Sequence, residues 1–153
     1  MKIRMEIDEN ITENEVIIRC SQLSEDVLSV QKLIAEAATS GKQMTVYRGE
    51  TEYFISPKKI LFFETDAEGV CAHTRDEVYL VRYKLYELEE LLPGFFVRVS
   101  KSTILNLNEI YSVEKKISTS SIVQFQNTHK QVYVSRHYLK ALRDRLEEKR
   151  MRG

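Results

Sequence analysis

The chain is poor in residues that break or cross-link structure. Its 153 residues include five glycines, two prolines and two cysteines. So few breakers argue against a disordered chain. Cys20 and Cys71 form no close pair, which leaves neither a disulfide framework nor a zinc knuckle to build. A reduced cytoplasm is the address this implies. Long apolar runs are missing too: stretches such as Ile60 to Phe63 are far too short to span a bilayer. The opening Met1-Lys2-Ile3-Arg4-Met5-Glu6 has no apolar signal-peptide core.

Catalytic signatures are equally scarce. His73, His129 and His137 stand in neither an H-E-x-x-H nor an H-x-x-E-H pattern. The scattered glycines form no phosphate-binding loop, and there is no G-x-S-x-G elbow. Glu89-Glu90 and Glu147-Glu148 fall on predicted helices beside basic residues, where a solvated face explains them better than acid/base chemistry. No enzyme class, metal or cofactor has a residue pattern in its favour.

Hydrophobic residues make up 42% and charged residues 30% of the chain. That is enough apolar material for one domain, or one domain with a small appendage. Net charge is zero but uneven. Residues 1–41 hold four basic and eight acidic side chains, a net −4, so the remainder carries +4. Such asymmetry points to two parts with different partners, the basic part facing a polyanion.

Taken in order, Lys2 to Asp8 alternates Ile3, Met5 and Ile7 with charged residues, and Glu15 to Cys20 follows as a second predicted strand. Ser24 caps a predicted helix with Val27, Val30, Leu33 and Ile34 at helical spacing, stopped by Ser40-Gly41. Residues 1–41 therefore read as a β-β-α unit. From Lys42 strands dominate. Met44 to Tyr47 and Glu52 to Ile55 flank a hairpin turn, and Pro57 ends the second strand. Ile60 to Phe63 is apolar on both faces and predicts a central strand. Val70 to Arg75 and Val78 to Val81 are further strands. Leu85, Leu88, Leu91 and Leu92 make a short amphipathic helix ended by Pro93-Gly94. Strands are predicted again at Phe95 to Val99, Glu109 to Lys115, Ser121 to Phe125 and Lys130 to Val134, with a turn at Ser118 to Ser120. A last helix carries Leu139, Leu142 and Leu146. Residues 149–153 form a basic tail.

The most informative stretch runs from Phe95 to Asn106. Phe95, Val97 and Val99 alternate with Phe96, Arg98 and Ser100, then the chain turns through Ser100-Lys101-Ser102 and returns through Ile104 and Leu105. A lysine between two hydroxyls is a donor set suited to phosphate oxygens or base edges. A solvated loop is the plain alternative on composition alone.

Five segments in order resemble the LytTR family of DNA-binding domains, over residues 43–148. Lys59-Ile60-Leu61-Phe62-Phe63-Glu64 looks like the family's opening strand, and Val70 to Arg75 with Val78 to Val81 like its hairpin. Leu85 to Leu92 is similar to its L-x-E-L-E-x-x-L helix. Phe96 to Asn106 resembles its F-x-R-x-H-R/K-S segment, and Val134-Ser135-Arg136-His137-Tyr138 its closing V-S-R-x-Y. The resemblance implies a mainly β fold with short helices: an elongated antiparallel β domain at 42–148, preceded here by the β-β-α unit. It is not a helix-turn-helix.

By the same resemblance the chain is a bacterial transcription regulator presenting loops to successive major grooves of double-stranded DNA, at direct repeats in promoters. Arg98, Ser100, Lys101, Ser102, Arg136 and His137 fall in the matching DNA-binding positions, and for Arg98 a supporting salt bridge is as good a reading as a DNA contact. Glu68 falls in the first loop, where a carboxylate suits a cytosine edge better than a phosphate. Ser100 stands where the family often has histidine. Asn106 is expected to hold the DNA-binding loop through a side-chain bond. Residues 1–41 are too short for the receiver domain that many relatives carry, so the chain resembles the stand-alone regulators, some of them restrained by a membrane-bound inhibitor protein.

Residues 1–41 are expected to form a homodimer through the helix bearing Val27, Val30, Leu33 and Ile34, since C2 pairing is the commonest assembly. The rival roles for this unit are an extra layer on the β domain or a docking site for an inhibitor. The competing function is a protein-interaction module whose acidic N-terminal unit binds a regulatory partner, with no specific DNA binding.

Overall fold

The computed structural model describes residues 1–39, 42–115 and 120–149. These residues form three helices and ten strands, in the order α1 (Glu25–Thr39), β1 (Met44–Arg48), β2 (Thr51–Ile55), β3 (Phe62–Asp66), β4 (Gly69–His73), β5 (Val78–Leu80), α2 (Leu85–Leu91), β6 (Phe96–Ser100), β7 (Thr103–Asn106), β8 (Ile110–Glu114), β9 (Ser121–Phe125), β10 (Gln131–Val134) and α3 (Arg136–Lys149). Every strand pairing is antiparallel. The Ser40-Gly41 helix stop, Ser118 and Thr119 of the expected turn, and residues 150–153 of the basic tail lie outside the described residues.

Seven strands form one sheet in the order β2-β1-β5-β4-β3-β7-β6, and β10-β9-β8 form a second. The apolar run Ile60 to Phe63 feeds β3, which sits between β4 and β7 as a central strand must. Its side chains divide between two cores. Phe63 joins Val46, Ala72, Leu88, Phe96 and Ile104 on the face covered by α2. Phe62 joins Val99, Leu105, Val123, Val132 and Leu142 on the face covered by the small sheet and α3. The register alternates these faces, with Phe62 opposite Leu105 and Phe63 opposite Ile104.

Local chemistry sets the turns and caps. Gly49 takes φ 60° in the two-residue turn between β1 and β2, the left-handed position where a side chain is disfavoured. Pro57 opens a single 3-10 turn, and the Ser56 hydroxyl accepts from the Lys58 N–H at 3.3 Å. The start of α2 is held by Glu87, whose carboxylate accepts the Lys84 N–H at 3.0 Å.

Two expectations need correction. Residues 2–8 and 15–20 lie in no strand: they join neither sheet, and Ile3, Met5 and Ile7 are almost fully exposed. An alternating segment becomes a strand only when a neighbour takes its backbone N–H and C=O groups, and among the described residues none does. Phe95, expected to share a face with Val97 and Val99, lies just before β6 and packs on Phe96 in the α2-side core instead.

The helix of this region does form, with the Ser24 hydroxyl accepting from the Val27 N–H at 3.3 Å. One side of α1 shares a hollow with Phe95, Leu107 and the end of α3, with Lys32 3.7 Å from Glu148. Another side, through Val27 and Ile34, faces Val16 and Ile18. No described helix is long and apolar enough to cross a membrane.

Candidate nucleic-acid interface

The β6–β7 hairpin turns at Lys101 and Ser102, with Ser100 paired to Thr103. A bulge precedes the turn: Arg98 pairs with Ile104, so Val99 is an extra residue on the β6 side. Bulges bend a strand and re-aim its groups. Here the Val99 side chain is fully buried while its carbonyl accepts the Ser135 N–H at 2.9 Å. That bond fastens the start of α3 to the hairpin end. Arg136 and His137, the first two residues of α3, are exposed beside it, as are Lys101 and Ser102 at the tip. The tip is fastened on its other side as well, since the Ser102 carbonyl accepts the Thr65 N–H from β3 at 2.9 Å.

Arg98 has a different situation from the lysine. Its Nε donates to the Ser100 carbonyl at 2.7 Å, a terminal nitrogen donates to the Lys101 carbonyl, and the other pairs with Glu89 of α2. The guanidinium fork is spent on its own hairpin and on α2, which stiffens the turn that carries Lys101. The Ser102 N–H donates to the Ser100 hydroxyl at 3.2 Å, and the two hydroxyls lie 3.3 Å apart.

Glu68 is exposed in the β3–β4 turn, next to the same strand end that holds Ser102. Asp66 organises this turn. Its carboxylate accepts the Glu68 N–H at 2.8 Å and the Cys71 thiol at 3.2 Å. The Glu68 N–H, then the thiol, hold the Asp66 carboxyl below the usual range. Burial, then the bond to Asp66, pushes the Cys71 thiol up to about 11, so it is a protonated donor.

Asn106 is buried, and its amide donates to the Ile60 carbonyl at 3.0 Å while its oxygen accepts the Asn108 N–H at 2.9 Å. Both bonds lie at the end of β7 away from the Lys101 tip, so Asn106 fixes the exit of the strand rather than the turn. His73 stacks on Phe62 with ring centroids 4.3 Å apart, and its Nδ1 is 3.4 Å from the Lys130 ammonium. Burial, then that ammonium, lowers its pKa to about 4.

Thr65, Glu89 and Val99 complete the arrangement and are not legible as site residues in the sequence. Two of them act through backbone atoms, for which side-chain type gives no signal. Glu89 reads as solvated helix face, and only the fold brings it to Arg98.

The comparisons with known proteins follow the same outline. A staphylococcal protein named as an uncharacterised HTH-type transcriptional regulator, from Staphylococcus aureus strain bovine RF122 / ET3-1, is 29% identical over 148 residues, covering 95% of this chain and 98% of its own. One of the same description from strain NCTC 8325 / PS 47 is 28% identical over the same shares. Despite that description, no two of the described helices follow each other in the chain: five strands separate α1 from α2, and five separate α2 from α3. A solved LytTr DNA-binding domain from Bacillus cereus superimposes with a TM-score of 0.62 at 22% identity, over 67% of this chain and 94% of that one. The family model of the LytTr DNA-binding domain matches residues 50–147, from the β1–β2 turn to within α3, and the chain therefore belongs to the LytTR family of DNA-binding domains.

Proposed function

We propose that this chain is a sequence-specific transcription regulator that reads duplex DNA with the Lys101 tip and the start of α3 as one surface. The observation that carries the reading is the bond from the Ser135 N–H to the Val99 carbonyl, which puts Arg136 and His137 beside the β6–β7 turn. A surface of this kind offers a lysine, an arginine and hydroxyls without long loops to order on binding. In this reading Lys101 and Arg136 touch DNA, Ser100, Ser102 and His137 add polar contacts, and Arg98 positions the tip. Glu68 flanks the surface and selects against phosphate in favour of a base-edge donor such as the cytosine amine. The names of the staphylococcal relatives support the regulatory role.

Fluorescence anisotropy with duplexes from the DNA upstream of its own gene tests this. Affinity should fall steeply with salt, log K dropping by about 0.9 per phosphate neutralised. Arg136→Ala should weaken binding by about 1–3 kcal/mol if it holds a base, with relaxed preference at one position. Binding that ignores salt, or is equally tight to random duplexes of the same length, would overturn the reading.

A further inference from the structure

Residues 2–8 are a charge palindrome. Lys2 and Asp8 stand equally far from Met5 on either side, and so do Arg4 and Glu6; Ile3 and Ile7 complete the symmetry. In the single chain this segment joins no sheet, with Ile3 97%, Met5 85% and Ile7 89% exposed. Arg4 and Glu6 already lie on one side of the segment, 2.8 Å apart, and remain open to solvent.

We propose that residues 2–8 pair with the same residues of a second copy of this chain, as antiparallel strands about a two-fold axis at Met5. In that register Lys2 faces Asp8, Arg4 faces Glu6, Ile3 faces Ile7 and Met5 faces itself. Each arginine then meets its own glutamate and the partner's, so four opposite-charge cross-strand pairs line one face and six apolar side chains line the other. Alternative registers are penalised. A two-fold at Arg4 sets arginine on arginine, one at Glu6 sets glutamate on glutamate, and parallel in-register strands oppose every charge to its like. A seven-residue ribbon is marginal alone. It gains support from Val16 and Ile18, which already face Val27 and Ile34 of α1 and offer an apolar surface to extend. The pairing also covers a bare, alternating segment that would otherwise be an aggregation hazard.

The inference stands apart from DNA recognition, and its test contains no DNA. Light scattering on the full chain at tens of micromolar should show a dimer. Arg4→Glu should raise the dimer dissociation constant at least about tenfold, because two attractive pairs become repulsive. Adding Glu6→Arg to that variant restores opposite charges and should restore the dimer. Residue 4 is exposed, so circular dichroism and the unfolding midpoint of the diluted chain should not change. In a Cys20→Ser background, Met5→Cys should oxidise to a covalent dimer far faster than Ile3→Cys. Cross-strand Cα separations of about 4.5–5.5 Å at the axis suit a disulfide, whereas position 3 faces position 7. A monomeric full chain, an intact dimer in Arg4→Glu, no recovery in the double variant, or equal cross-linking at positions 3 and 5 would each overturn the proposal.

Discussion

Residues 2–8 and residues 96–100 carry the same kind of pattern and meet opposite fates. Both alternate apolar and polar side chains across a short run. In β6 the alternation is used: β7 takes its ladder bonds, Val99 is fully buried, and Phe96 enters the opposite core. In the N-terminal segment no strand is adjacent among the described residues, and the apolar stripe stays bare. The difference teaches that period two specifies a face, while a strand also needs a neighbour to satisfy its backbone. The β domain supplies that neighbour internally through hairpins of two-residue turns. The N-terminal segment has no such neighbour among the described residues.

The largest effect should separate the two regions by stability. Phe63 is fully buried between β4, β7 and α2, so Phe63→Ala should cost about 3–5 kcal/mol in urea unfolding. Ile3→Ala, measured at nanomolar concentration to keep self-association out of the reading, should stay within about 0.5 kcal/mol. A large loss in Ile3→Ala under those conditions would break the comparison by showing that the segment packs within its own chain.

A smaller effect sharpens the contrast inside the hairpin. Lys101→Gln should remove one unit of phosphate neutralisation, lowering the salt slope by about one if the contact is to phosphate. Arg98→Gln should weaken DNA binding with the slope unchanged, because its guanidinium is spent on the Ser100 and Lys101 carbonyls and on Glu89. Anisotropy over a range of salt distinguishes them. Equal slopes in the two variants would show that support and contact had been assigned to the wrong side chains.

The smallest effect is a pH dependence confined to the β domain. His73 has its pKa lowered to about 4 in the folded state, against an ordinary value near 6.5 in the unfolded chain. The unfolded state therefore binds the proton more readily, so stability falls as pH drops from about 6.5 toward 4 and is level above that window on this residue's account. His73→Phe preserves a ring on Phe62 and should flatten the curve of urea midpoints between pH 4.5 and 7 relative to the unmodified chain. An unchanged difference between the two curves across that range would remove His73 from the explanation.

Much of the β domain was legible because its signals are local. The apolar run Ile60 to Phe63 announces a strand buried on two faces, and the leucines of α2 and α3 repeat at helical spacing. Other features are not local. Asn106 reads as a loop-holding residue, yet its partners are Ile60 and Asn108, at the far end of β7 from the turn. Which end of a strand a side chain secures depends on what crosses it there.

By itself the sequence determined the order and type of nearly every element from Met44 to Lys149, and the exposed chemistry of Lys101 and Arg136, because periodicity and turn residues act over a few positions. Only the tertiary structure decided that Arg98 turns inward, that the bulge at Val99 leaves a carbonyl for Ser135, and that residues 2–8 join no sheet in the single chain. These outcomes rest on backbone groups and on residues distant in sequence. A backbone hydrogen bond carries no side-chain signature, and a missing neighbour leaves no mark in the segment that lacks it.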